Sequence, residues 1–337
     1  MTIRLIQVGL GNWGQDWYAR IVSQDGDVET VGWVEVDAKA LERAREKLKL
    51  PQDRCFLTLE EALGKVEADA VLITASLPGH VPSALTALKA NLHVLVEKPF
   101  ARTIAEAQQV VALAEERGRI LVVSQNYRFA RAARAAAEQV REQVLGRVGS
   151  VSLDFRRYAN TAPVEGHRHY QLWHPLLVDM SIHHFDLLRL VLGQEPVQVM
   201  CKTWNPPWSH FVQPPAAAAT ITFDGGAVVN YRGSWVSMGP QTNWSGEWRM
   251  DCEQGEIVWT GRGEIPDQVT LRPLDKPERS LKLAELAYVD RAGSLHSFVE
   301  AVRTGKTPET SGRDNLKTLA LMYACIESAE TGLPVNI

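Results

Sequence analysis

Ile3-Arg4-Leu5-Ile6-Gln7-Val8 runs directly into Gly9-Leu10-Gly11-Asn12-Trp13-Gly14, and a helix-like segment, Gln15 to Ser23, follows. A G-x-G-x-x-G turn between a strand and a helix is the setting in which that motif cradles a dinucleotide. The three glycines play separate roles. Gly9 allows the tight turn, Gly11 lets the backbone approach a pyrophosphate, and Gly14 permits close helix packing. The helix amino terminus adds unpaired N–H groups and the positive end of its dipole. Asn12 and Trp13 border the same turn.

Working outward, a second strand over Glu29–Val36 carries Glu35. It lies about twenty residues past the fingerprint, where an acid accepts hydrogen bonds from ribose hydroxyls. A carboxylate there repels a 2′-phosphate, which favours NAD over NADP. Asp37 is an alternative for that role, and Lys39 or Arg43 would tolerate a phosphate. The alternation continues through a helix Ala38–Lys49, a short strand near Cys55–Leu57, a helix Leu59–Gly64 and the apolar strand Ala70–Ala75. Ser76-Leu77-Pro78-Gly79-His80 then reads as a turn into a helix Val81–Ala90. This turn is the next place for a nicotinamide cofactor to touch the sheet edge. The competing reading is a helix cap by Ser76 and a surface His80. Leu92-His93-Val94-Leu95-Val96 is a buried parallel strand that stops at Glu97-Lys98-Pro99. Ligands of open α/β sheets sit at this carboxyl edge, so Lys98 is placed to touch cofactor or substrate. The plain alternative is a strand-end ion pair. An X-Pro bond in a tight turn is also a candidate cis peptide. A helix Ile104–Arg117 capped by Thr103 and a strand Ile120–Gln125 complete six strands alternating with helices, a doubly wound parallel sheet.

Beyond residue 125 the pattern changes, giving expected domains of 1–125 and 126–337. A helix from Ala130 to Leu145 leads to Val151–Phe155, and strands then follow without intervening helices: Val197–Lys202, Ala217–Phe223, Ala227–Trp235, Glu247–Asp251, Glu256–Trp259 and Gln268–Arg272. Helices over Val289–Arg303 and Asp314–Thr331 close an α+β domain on a large, mostly antiparallel, open-faced sheet. Its most informative polar cluster is Asp179-Met180-Ser181-Ile182-His183-His184-Phe185-Asp186. Read as one helix, it puts Asp179 and His183 on one face at i,i+4, the pairing in which an acid orients an imidazole base. The competing reading is a helix pair or a capping acid. His184 and Asp186 are assigned structural work. His167, His169 and His174 precede the helix, but no metal-ligand spacing is present and no metal is expected. Many of the ten tryptophans lie in this second half, where flat aromatic faces suit a sugar.

Of the residues 45% are hydrophobic and 23% charged, with a net charge of −4 and no block of like charge. That leaves no electrostatic footprint for nucleic acid, and no run is long enough to span a bilayer. The chain enters a strand at once, so no leader is expected, and four scattered cysteines read as reduced cytosolic thiols.

Taken together, Gly9-x-Gly11-x-x-Gly14, Glu97-Lys98-Pro99, Asn126-Tyr127-Arg128-Phe129, Asp179-x-x-x-His183-x-x-Asp186 and the closing Ser311-Gly312-Arg313-Asp314 and Glu327–Val335 resemble the Gfo/Idh/MocA oxidoreductases over essentially the whole length. The resemblance implies a Rossmann domain, a sheet domain that mediates dimer or tetramer formation, a cis bond before Pro99, and Lys98, Asp179 and His183 as the catalytic set. It implies NAD at Gly9, Gly11, Asn12, Trp13, Gly14, Glu35, Ser76, His80, Glu97, Lys98 and Asn126. Tyr127, Arg128, Tyr158, Arg168 and Trp173 are expected to line the substrate pocket. The implied activity is oxidation of a secondary alcohol on a sugar, sugar acid or cyclitol. The family also holds NAD-dependent glycoside hydrolases, and non-catalytic NAD-binding regulators occur on this fold; both remain alternatives. This sequence departs from the family pattern at Trp13 and at Trp173–Val178, where a glycine-rich stretch is common.

Overall fold

The computed structural model describes residues 2–337, which form two compact units. The first comprises residues 2–126 and Tyr288–Leu316, the second Tyr127–Ala287 and Lys317–Ile337.

In the first unit, strands β1 (Ile3–Val8), β2 (Val28–Val34), β3 (Cys55–Phe56), β4 (Ala70–Ile73), β5 (His93–Glu97) and β6 (Leu121–Ser124) form a six-stranded sheet in the order β3-β2-β1-β4-β5-β6. Every pairing is parallel. The order reverses beside β1, which is the switch point where such sheets open a crevice for ligands. Helices α1 (Asn12–Arg20), α2 (Ala38–Leu48), α3 (Leu59–Leu63), α4 (Leu77–Lys89) and α5 (Ile104–Glu116) connect the strands. The central strands are apolar on both faces, and β4 and β6 are buried at every position, as a sheet covered on both sides requires. Helix α4 begins at Leu77, so Pro78 and Gly79 sit inside its first turn and not in a preceding loop, as local sequence pattern suggests. Pro is tolerated in a first turn because its missing N–H would have had no partner there.

The second unit opens with α6 (Arg131–Arg141) and carries nine strands: β7 (Val148–Arg156), β8 (Pro196–Trp204), β9 (Ala216–Phe223), β10 (Val228–Ser234), β11 (Glu247–Cys252), β12 (Gly255–Thr260), β13 (Gln268–Pro273), β14 (Arg279–Ser280) and β15 (Val335–Asn336). The sheet is antiparallel except where β10 runs parallel to β7. Burial alternates along its strands, with Val151, Leu153 and Phe155 of β7 buried and Ser152 exposed. One face of the sheet is therefore covered and the other open. Helix α7 (Ile182–Leu192) belongs to this unit and is buried at ten of its positions.

Helix α8 (Asp290–Thr304) lies in the first compact unit, although it follows the second region's strands in sequence. Its Leu295, Phe298 and Val299 are buried in one cluster with Ile3, Leu5, Trp17 and Val122. A helix is assigned to whatever buries its apolar stripe, and that stripe alone does not name the partner. The following α9 (Gly312–Thr331) begins in the first unit and ends in the second.

Candidate active site

The fingerprint of the first unit is held by hydrogen bonds to its own backbone. Buried Gln7 donates to the Gly14 carbonyl (2.7 Å), and the Thr74 hydroxyl donates to that of Gly9 (2.7 Å). Gly9 has φ of 94°, and a Cβ on it would stand 2.3 Å from the Ala75 nitrogen. A Cβ on Gly14 would meet the Gly9 oxygen at 2.0 Å. Gly11 differs: a Cβ there would meet nothing within 4 Å. It is also the N-cap of α1, with no side chain capping the helix. Space and unsatisfied N–H groups therefore coincide at one point, which suits a diphosphate.

At the end of β2, the Glu35 carboxylate accepts from the Leu10 N–H (2.8 Å) and the Asp37 N–H (3.2 Å), which holds the acid beside the glycine turn. Asp37, the alternative ribose ligand, is the N-cap of α2 and accepts from Lys39 and Ala40 N–H. These bonds, more than its neighbouring cations, hold its carboxyl below the usual range.

At the end of β5, Glu97 is buried and its carboxylate accepts the Trp17 indole N–H at 2.7 Å. Its other oxygen is 3.3 Å from the Lys98 N–H. The Lys98–Pro99 peptide is cis, as the resemblance implied. His80 is not the surface residue of the competing reading. It is buried, with its ring nitrogens 2.9 Å from the Pro99 and Ala75 carbonyls, so the ring ties together two loops at the sheet edge. Burial pushes its pKa down, against the two carbonyl acceptors, which push it up. Ser76 precedes α4 but makes no capping bond, leaving its hydroxyl exposed at that edge. Asn126 donates to Asp290, and Arg291 reaches Asp16 (2.6 Å) while its guanidinium lies 4.4 Å over the Trp13 ring. Asp290 and Arg291 give no local signal in the sequence because they come from the late segment that rejoins this unit.

In the second unit, Asp179 lies in a π-helical turn, Leu177–Ser181, that precedes α7, so the segment is not one uninterrupted α-helix. Such turns are frequent at functional sites because they rotate side chains off the regular spacing. Asp179 stands 3.5 Å from the Nε2 of His169, a residue given no catalytic or binding role in the sequence reading. His183 is buried and stacks on Tyr127, with centroids 4.2 Å apart and rings 14° from parallel. Among the described residues no group of three or more His, Cys, Asp or Glu is arranged to hold a metal ion.

One pocket assignment needs correction. Arg128 is buried and forms a bidentate pair with Asp186 (2.6 and 2.8 Å), whose carboxylate also accepts from Thr318. A guanidinium so engaged fixes α7 in place and is not available to recognise a substrate. Asp186 and His184 do the structural work assigned to them: His184 is fully buried against Tyr231 and the Trp244 carbonyl, and burial lowers its pKa to about 4. Tyr158, Arg168 and Trp173 are exposed, with Trp173 against His174.

The two halves of the chain match two family models, described as an oxidoreductase family with an NAD-binding Rossmann fold (residues 3–125) and its C-terminal alpha/beta domain (residues 137–337). Myo-inositol 2-dehydrogenase of Thermotoga maritima is 24% identical over 88% of both chains. D-apiose dehydrogenase of Paraburkholderia graminis is 26% identical over 92% of this chain and 83% of its own. Among solved structures, an Agrobacterium radiobacter oxidoreductase in complex with NAD+, L-tartaric acid and magnesium superposes with a TM-score of 0.86, at 18% identity, over 100% of this chain and 98% of its own. With the glycine fingerprint, the Glu97-Lys98-cis-Pro99 strand end and the acid–imidazole cluster before α7 in place, the chain belongs to the Gfo/Idh/MocA oxidoreductase family and carries its NAD-binding Rossmann domain.

Proposed function

We propose that the protein oxidises a secondary alcohol of a polyol (a sugar, sugar acid or cyclitol) reversibly, with NAD as the partner. The observation that carries this reading is the cluster around the π-helical turn, where Asp179 meets His169 and His183 is stacked on Tyr127. A carboxylate and two imidazoles in one place can bind and deprotonate hydroxyls near neutral pH. The dehydrogenase names of the relatives support the same substrate class.

Gly11 and the amino terminus of α1 hold the diphosphate of the cofactor, and Glu35 holds its adenosine ribose. Asn12 and Trp13 border that turn, while Ser76 and Asn126 face the nicotinamide end. NAD, when bound, supplies the hydride acceptor. His183 takes the hydroxyl proton, a general-base contribution of about 10²–10⁴-fold. Lys98 stabilises the negative charge that develops on the same oxygen. Asp179 orients a neighbouring hydroxyl, and His169 fixes the carboxylate of Asp179. Glu97 and His80 act as positioning residues, holding the strand end from which Lys98 projects.

We also propose a homo-oligomer built through the open face of the nine-stranded sheet. A groove of about 420 Å³ there is lined by Met200, Lys202, Ala218, Thr220, Asn230 and Arg232. Scattering-derived mass in solution tests it: a monomer at working concentration rejects the proposal. The four unbridged cysteines support a reducing, cytosolic setting.

The activity is tested by absorbance of NADH in protein screened with NAD and NADP against sugars, sugar acids and inositols. NADH formation with one polyol class is the expected result. Release of a glycosidic leaving group without NADH would transfer the reading to a hydrolase. Saturable NAD binding with no turnover on the whole panel would leave a regulator.

A further inference from the structure

We propose that the substrate carries a carboxylate and that Arg157 is the residue that selects it; the inference rests on the polyol-oxidation reading above. Arg157 follows the last residue of β7 and shares a strand face with Phe155, whose ring lies 5.0 Å from that of His184 on α7. It therefore emerges on the covered side of the sheet, the side of α7, and not on the open face.

Its guanidinium lies 4.0 Å over the Trp244 ring, and its Nη1 donates to the Gln241 side-chain oxygen at 3.0 Å. Its Nε is buried without an acceptor. Among the described residues no carboxylate pairs with it. Four arginines of the unit are placed differently: Arg128 has Asp186, Arg189 has Glu195, Arg232 has Asp154, and Arg262 has Glu247. Arg157 alone of these five is half-buried, stacked on an aromatic face and left without a counter-charge. A desolvated guanidinium in that condition is costly for the free protein, and burial indeed pushes its pKa down. The cost is offset when a ligand brings the missing anion, and the planar fork matches the two oxygens of a carboxylate.

Contacts lead from Arg157 to the proposed chemistry. Trp244 neighbours Trp235 (6.1 Å between centroids), Trp235 meets His169 edge to face (5.0 Å), and His169 reaches Asp179. The anion reader and the hydroxyl-binding acid thus belong to one series of contacts within a single unit. Arg157 supplies one positive charge with no counter-charge of its own, so it balances one added negative charge and not two. A monoanionic carboxylate fits this balance better than a phosphate dianion.

The test compares aldonic and uronic acids with the alditol or aldose of the same configuration, and with the matching phosphate esters. Each is measured by NADH formation and, independently, by calorimetric binding to the NAD-loaded protein. Wild type is expected to prefer the acid by about 10- to 100-fold in kcat/KM, the scale of a hydrogen bond to a charged group. Arg157→Met should erase that preference through KM, leaving kcat and the neutral substrate's KM within about threefold; Arg157→Lys should restore part of it. Equal loss on acid and neutral substrates would show a structural role and overturn the proposal. So would a wild-type preference for the neutral polyol or the phosphate ester. If nothing is oxidised, the polyol reading fails by itself. Calorimetry then still decides here: acid bound by wild type and not by Arg157→Met supports the proposal, and no acid binding by wild type overturns it.

Discussion

At the carboxyl edge of the six-stranded sheet the groups available to a ligand are mostly backbone. Gly11 is open, α1 is uncapped, and buried Gln7 and Thr74 hold the turn through carbonyls. At the start of α7 and the end of β7 the available groups are side chains: Asp179 against His169, His183 against Tyr127, and Arg157 on Trp244. Backbone sites depend on a few glycines at fixed spacing and tolerate change elsewhere in the chain. Side-chain sites depend on which segments meet, so specificity can change there without disturbing the fold. The first region is suited to a constant cofactor and the second to a variable substrate.

The contrast between paired and unpaired arginines breaks most sharply at Arg128. Arg128→Ala leaves Asp186 buried without its partner and should cost about 3–5 kcal/mol of stability, read by urea unfolding. Arg157→Met should change the unfolding midpoint little. If both variants destabilise alike, the distinction between a structural and a recognising guanidinium collapses.

Lys98→Met comes next. Turnover should fall by about 10²–10³-fold, the scale of losing one preorganised group at a developing oxyanion. NAD affinity, measured by calorimetry, should change far less. Retained turnover would remove Lys98 from the chemistry.

A third expectation concerns pH. His184 is buried neutral, with its pKa lowered to about 4, while the unfolded chain has an ordinary histidine near 6.5. Between these values the unfolded state binds the extra proton, so stability rises with pH through that window. It is fully present above about pH 6.5 and lost as pH falls toward 4, by about 3 kcal/mol. Unfolding curves at pH 5 and pH 7 for wild type and His184→Gln should show a smaller pH difference in the variant.

The smallest effects separate the glycines. Gly14→Ala forces a Cβ against the Gly9 oxygen and should cost about 1–3 kcal/mol in stability. Gly11→Ala has room in the protein itself and should leave the melting temperature unchanged while weakening NAD binding about tenfold, because the space it fills is where the diphosphate approaches. Equal behaviour of the two variants would contradict the division of labour within the turn.

The first region was legible because its signals are local. The strand–glycine–helix order, the acid at Glu35 and the Glu97-Lys98-Pro99 strand end each lie within a short window. What escaped was long-range. Gln7 looks like any strand residue until Gly14 folds back on it, and Asp290 and Arg291 join the first unit from far along the chain. In the second region, periodicity found α7 but missed the π-helical turn, since one extra residue in a turn leaves no mark in apolar spacing. Arg128 and Arg157 illustrate the same gap. Both are arginines near aromatic residues in the sequence, and the carboxylate that separates their roles is 58 positions from one of them.

The most direct test is isotope transfer. With a polyol acid deuterated at its secondary carbinol carbon and NAD in excess, the NADH formed is examined by proton NMR. The account predicts one deuterium at nicotinamide C4 in wild type, with slow formation in Lys98→Met and His183→Ala. NADH without deuterium, or substrate consumed with no NADH and a released leaving group, would contradict it.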